Sequence, residues 1–192
     1  MSMHYKVKKE LKQLKNTVLL DGVADVVRAQ SLKDADDAPD ATLFLEASVR
    51  DISETGCLGT PLKKMHIDKK QFRRAQNQRI YPGDILLAIK GSVGRVAFVG
   101  EDCGDNWIAG QAFIIIRPKS ASTSTPYLYR YLASELIQEY IQEVATGGVM
   151  ALLKAADVSG IPVPLPEPEV LKSVEETHQQ KVEILEQLVS AD

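Results

Sequence analysis

Gly83-Asp84-Ile85-Leu86-Leu87-Ala88-Ile89-Lys90-Gly91-Ser92-Val93-Gly94-Arg95-Val96-Ala97 is the stretch whose reading decides the fold. The unbroken apolar run 85–89 leaves neither face of an extended segment polar, so this strand belongs in the middle of a sheet covered on both sides. Gly91 and Gly94 then flank Ser92-Val93, and glycine's access to positive φ suits a tight reversal and a close approach of backbone amides to another surface. Apolar residues resume at Val96. The stretch reads as strand, turn, strand, with Lys90 and Arg95 on either side of a tip that suits a phosphate. A plain hairpin carrying two solvent-exposed cations is the competing reading.

Outward from this hairpin, short β-type runs recur at 17–20, 23–27, 42–47, 84–89, 95–99 and 112–116, punctuated by Gly, Pro, Asp and Asn. They predict one twisted mixed sheet of about six strands, a common size for a small domain. Residues 5–16 read as a short basic helix, and 31–40, with four Asp, two Ala and one Pro, as a solvated loop. Thr125-Pro126 opens a helix, since proline suits the first helical position and Ser124 or Thr125 can cap it. Its apolar residues run at helical spacing to Val144, and Gly147-Gly148 ends it. A second short helical piece covers 149–153. Alternate prolines at 162, 164, 166 and 168 then enforce an extended strand or linker.

From Glu169 the chain is helical again, with Leu171, Val174, His178, Lys181, Leu185 and Leu188 at three- and four-residue spacing and Val182 widening the stripe. About twenty residues make a rod about 30 Å long. Two packings are open for it: an antiparallel pairing with another helix, or docking back on its own domain. The fold class is α/β of the α+β-like kind, a mixed sheet with packed helices followed by a long C-terminal helix. The expected units are a lead-in basic helix (1–16), one central domain (17–166) and a spacer or dimerisation helix (167–192).

The 192 residues are 44% apolar, enough for a real core. No apolar run approaches the roughly 20 residues a membrane span needs, and the opening residues lack a signal peptide's apolar segment, so a soluble cytoplasmic protein with no membrane association is expected. Cys57 and Cys103 stand far apart and the three histidines are scattered, so neither a metal site nor a disulfide framework is expected.

The net charge of −3 conceals a segregated pattern. Residues 61–95 hold nine basic side chains against Asp68 and Asp84, a local +7, while 120–192 carry −7. A local field can therefore differ in sign from the whole. Lys63, Lys64, Lys90 and Arg95 can neutralise phosphates, which gives salt-sensitive affinity without sequence information. Arg73-Arg74-Ala75-Gln76-Asn77-Gln78-Arg79 adds base-reading chemistry, because Arg can bracket guanine O6 and N7 while Gln76, Asn77 or Gln78 can bracket adenine N6 and N7. Ser92 adds a hydroxyl at the hairpin tip. The competing reading of 73–79 is a polar surface segment.

Catalytic spacings are missing. There is no Gly-x-Gly-x-x-Gly, no phosphate-binding loop (Gly83 lies eight residues before Gly91, the wrong interval), no Gly-x-Ser-x-Gly and no His-Glu-x-x-His. An Asp or Asn followed by Pro-Pro-aromatic, as amino-group methyltransferases use around a flipped base, is also missing. Glu135, Glu139 and Glu143 form a row at helical spacing that suits a solvated face better than an acid–base pair. The chain reads as a binder and not a catalyst.

Four segments, in order, resemble the specificity subunits of type I restriction-modification systems and the related recognition domains of adenine-N6 DNA methyltransferases. They are Val18 to Arg28, Tyr81 to Ala97, Tyr127 to Ser134 running on to Thr146-Gly147-Gly148, and Leu153 to Pro166. The second is the most specific, and together they span about residues 17–190. One departure is visible: the family usually opens its long helix with a Glu-Gln pair after the proline segment, where this chain has Pro168-Glu169-Val170. The resemblance implies a target-recognition domain that reads one half of a split site in double-stranded DNA. It implies partnership with modification subunits that carry S-adenosylmethionine, and with a restriction subunit, and no cofactor or catalysis of its own. With one recognition domain and one spacer helix the chain resembles a half-subunit, which would pair with itself through the C-terminal helix, or a domain of a larger methyltransferase. A protein-interaction scaffold assembled through that helix is the alternative from another class. An enzyme with an undetected site is a third.

Overall fold

The structure, a computed structural model, describes residues 10, 11, 13–36, 38–119, 123–145 and 152–189, apart from the side chains of 182 and 185–189. In chain order the first elements are β1 (Thr17–Leu19), α1 (Leu20–Val23), β2 (Ala24–Arg28), β3 (Thr42–Ala47), β4 (Lys63–Ile67) and α2 (Lys69–Asn77). The hairpin strands β5 (Ile85–Ala88) and β6 (Val96–Phe98) follow, then β7 (Trp107–Ala109) and β8 (Phe113–Pro118). Last come α3 (Thr125–Leu132), α4 (Glu135–Val144), α5 (Ala155–Ser159), β9 (Pro162–Pro164) and α6 (Pro168–Val189). Much of the lead-in helix, residues 149–151 and Gly147-Gly148 lie outside the described residues, whereas Leu152, expected to be helical, forms a β-bridge with Lys90.

β5 is an inner strand of a four-stranded antiparallel sheet ordered β2-β8-β5-β6, and each of its residues is buried. Ile85 and Leu87 share one face with Ile114 and Ile116 of β8, against Leu128 and Leu132 of α3 and Ile137 and Ile141 of α4. The alternate residues Leu86, Ala88, Phe113 and Ile115 pack with Ala47, Trp107 and Ala109 of a second sheet. The strand alternation thus feeds two cores at once, each large side chain removed from water stabilising by about 1.5–3 kcal/mol.

The expected single sheet of six strands is not what forms: among the described residues there are a four-stranded, a three-stranded and a two-stranded sheet. β3 leaves the main sheet to pair with β4 (antiparallel) and β7 (parallel), two strands absent from the sequence reading. β4 escaped notice because Lys63, Lys64 and His66 dilute its pattern, and β7 because it is three residues long. β1 likewise pairs with β9 inside the proline segment, Val18 opposite Val163. Prolines 162 and 164 bring no amide donors, but their carbonyls accept from the hydroxyls of Tyr131 and Tyr127, four residues apart on α3.

The helix expected from 125 to 144 is two helices. Ser134 is extended (φ −67°, ψ 150°) and starts α4, while its hydroxyl donates to the Tyr131 carbonyl at 2.6 Å. Gln138 donates to the orphaned Leu132 carbonyl (2.8 Å), so the end of α3 is satisfied by α4 itself. α6 packs its first half against α3, with His178 4.7 Å from the Phe98 ring on β6.

Candidate nucleic-acid interface

α2 is built on polar sequence, and its position is decided by its cap, by the inward Gln71, Ala75 and Gln78, and by the partly exposed Phe72. Asp68 caps it by accepting from the Gln71 amide at 2.9 Å. Ala75 is buried against Phe44, Met65 and Ile67 of the three-stranded sheet, and Phe72 lies tilted on Phe44 with ring centres 6.0 Å apart. Gln71 exchanges two hydrogen bonds with the Lys33 backbone, accepting at 2.8 Å and donating at 3.0 Å. Gln78, just past the helix, accepts from the Gln30 amide (2.9 Å) and donates to the carbonyls of Gln30 (3.2 Å) and Ala109 (2.9 Å). Gln78 is 2% exposed. Its amide is consumed inside the fold, so it cannot read a base as the sequence suggested.

Residues 30–36, which overlap the 31–40 run read as a solvated loop, are the other half of these contacts. Leu32 is buried, and the Ala35 amide donates to the His66 carbonyl at 2.8 Å, capping the β4 edge. The His66 imidazole stands 3.0 Å from Asp36 and 3.4 Å from Asp34.

With these residues inward, Lys70, Arg73 and Asn77 form the outermost ridge of α2, three and four residues apart, with Arg74 beside it; all four are exposed. Gln76 is half-buried on the flank. The helix contains no acidic residue. Lys64, Lys70, Arg73 and Arg74 have no ion-pair or hydrogen-bond partner among the described residues. Lys70 was missed as a site residue because no helix was assigned there; the Asp68 cap and the 70/73/77 spacing are the signals that could have found it.

Four other basic side chains of 61–95 are engaged internally. Lys63 pairs with Glu46 at 3.0 Å and Lys69 with Asp40 at 2.6 Å. Arg79 donates to the Asp105 carbonyl and lies 5.3 Å from the Tyr81 ring centre. Arg95 reaches across to the Ile52 carbonyl at 2.8 Å. Lys90 is half-buried and its backbone bridges Leu152, but its side chain has no ion-pair or hydrogen-bond partner among the described residues.

The hairpin tip has the expected glycine geometry, φ +74° at Gly91 and +93° at Gly94. It is also bolted to α4, since Gln142 donates to the Val93 carbonyl (3.0 Å) and Gln138 to the Gly94 carbonyl (2.9 Å). A Cβ on Gly94 would sit 2.6 Å from Gln138 Oε1. Ser92 and Gly91 stay exposed at the tip.

At the start of β5, Asp84 (1% exposed) accepts from the Tyr81 amide at 2.9 Å and from Arg117 Nε and a terminal nitrogen at 2.8 and 2.7 Å. The Asp84 hydrogen bonds hold the Arg117 guanidinium above its usual value, against the opposing effect of burial. Arg117 also donates to the Arg79 carbonyl (3.1 Å) and lies 4.6 Å from the Tyr81 ring centre. This cluster is structural: it fixes the entry to the central hairpin and the end of the 73–79 run together.

Of the assembly residues, Leu171, Val174 and His178 are half-buried; Val182, Leu185 and Leu188 have side chains outside the described residues. Ile184, about three-quarters of the way along the helix, is 57% exposed.

The profile of the type I restriction modification DNA specificity domain matches residues 6–191. The chain belongs to this family. It is a family of DNA specificity domains and not of enzymes. The specificity domain also resembles solved structures in fold: the HsdS subunit from Thermoanaerobacter tengcongensis (17% identity, TM-score 0.58, 96% of this chain and 45% of that one). The S subunit of a type I restriction-modification system from M. genitalium is similar (17% identity, TM-score 0.59, 93% and 42%). So is a chain from work on complex assembly and conformational transition of the type I R-M system (17% identity, TM-score 0.57, 91% and 41%). The specificity domain thus spans less than half the length of these chains. Comparison with curated proteins found no match.

Proposed function

We propose that this chain recognises a sequence in double-stranded DNA, one half of a split site, and positions modification subunits, and through them a restriction subunit, on it. The observation that carries the reading is the match to the DNA specificity domain over residues 6–191. The unpaired cations Lys64, Lys70, Arg73 and Arg74 support it on physical grounds, because they offer phosphates a surface free of internal competition. S-adenosylmethionine then belongs to the modification subunit. Pairing with a second copy, or with another spacer helix, falls to the part of α6 beyond His178, where Ile184 is left exposed.

Mapping methylated adenines in the source genome with and without this gene tests function and specificity together. The expected outcome is loss of methylation at one bipartite motif. An unchanged map overturns the reading. Salt titration of duplex binding by the chain with its modification subunit should show log K falling steeply with log salt.

A further inference from the structure

We infer that α2 enters the major groove as the base-reading helix of this domain, with Arg73 and Asn77 at base edges and Lys70 and Arg74 on flanking phosphates. The inference rests on the DNA-recognition reading above and adds which surface reads. Three observations carry it.

The first is the fate of the candidate donors. Of the side chains able to read a base in 73–79, Gln78 is buried with three hydrogen bonds, and Arg79 is turned to Asp105 and Tyr81. Arg73 and Asn77 are exposed, and their side chains have no partner among the described residues. Arg brackets guanine O6 and N7, and Asn brackets adenine N6 and N7, in each case with two hydrogen bonds.

The second is rigidity. A reading helix must be held before DNA arrives, or ordering it consumes affinity. Gln71 and Gln78, seven residues apart on the inward side, tie α2 to Gln30, Lys33 and Ala109 with five hydrogen bonds. Neither end of α2 depends on Lys70, Arg73 or Arg74 for its position.

The third is fit. A helix about 10–12 Å across matches a major groove about 12 Å wide. Arg73 and Asn77 are separated by about 6 Å along the axis, close to two base-pair steps of about 3.4 Å. No carboxylate interrupts residues 69–77. The hairpin tip has less of this freedom, since Gln138 and Gln142 hold its carbonyls, Arg95 is bound to Ile52 and Lys90 is half-buried.

The test is selection from a pool of randomised duplexes by the full chain with its modification subunit, repeated with Arg73→Ala, Asn77→Ala, Lys70→Ala, Arg74→Ala and Ser92→Ala. The wild type should enrich one motif. Arg73→Ala and Asn77→Ala should each relax it at one or two adjacent positions, with discrimination there falling about 5- to 150-fold. Lys70→Ala and Arg74→Ala should leave the motif unchanged and lower the slope of log K against log salt by about one each. Ser92→Ala should change neither. If the wild type enriches a motif that Arg73→Ala and Asn77→Ala both preserve, α2 is not the reader, although DNA recognition stands. If the wild type enriches nothing, both readings fail. All five positions are exposed, and an unchanged melting temperature separates a lost contact from a lost fold.

Discussion

Asn77 and Gln78 are neighbours with opposite fates: one is exposed, the other holds three hydrogen bonds at 2% exposure. Both carry the same amide chemistry, and only packing separates the proposed reader from the anchor. Gln78→Ala should cost about 1–3 kcal/mol, because it strands the Gln30 amide and the Ala109 carbonyl in a partly buried site. Chemical denaturation measures it, and a cost under 0.5 kcal/mol would mean that water replaces the side chain. Asp84→Asn should cost more, about 3 kcal/mol, since the Arg117 guanidinium loses its charged partner in a site where Asp84 itself is 1% exposed. Gly94→Ala should destabilise by about 1–3 kcal/mol, whereas Gly91→Ala should cost less, for both have positive φ but only Gly94 faces Gln138 at 2.6 Å. Equal melting temperatures for the two variants would show that α4 yields.

Among the elements, α6 divides. Its first half lies on α3 and β6, and the remainder runs beyond. The His178 ring rests on Phe98, and burial, followed by the charges of Arg130 and Lys181, lowers its pKa below the ordinary 6.5. Docking therefore favours the neutral ring: its stabilisation is complete above about pH 6.5 and is lost as pH falls through the lowered folded value. Amide exchange across 168–178 should quicken at pH 5.5 relative to 7.5, after correction for intrinsic rates, and His178→Phe should remove that difference. Retention of the difference in the variant would assign it to another group. The two packings left open by the sequence are thus partly resolved: the stripe at Leu171, Val174 and His178 serves the chain's own domain. The strand expectations at 42–47 and 84–89 held because their apolar runs are long; β4 and β7 were illegible because pairing with β3, not local pattern, makes them strands.

At the scale of the whole molecule, two cores share the central sheet, so the helical side and the side bearing α2 are coupled through β5 and β8. Truncation after residue 181 should keep the domain's melting temperature within about 2 °C while lowering the assembly proposed for the end of α6. Removal of 168–192 should also destabilise the domain, by uncovering Phe98 and α3. Calorimetry and size-exclusion chromatography distinguish the two, and equal stability losses would place essential packing beyond residue 181.

The sequence by itself determined the interior hairpin, because a fully apolar run followed by paired glycines has few other folds, and its ordered segments were enough to mark the family. The partition into three sheets and the sorting of cations into free and engaged were decided only in three dimensions. Pairings such as Arg95 with Ile52, Gln78 with Gln30 and Arg117 with Asp84 join residues 33 to 48 apart, beyond any local pattern. Charge composition counts a lysine or arginine the same whether it faces water or a carbonyl, and the fold alone makes that difference.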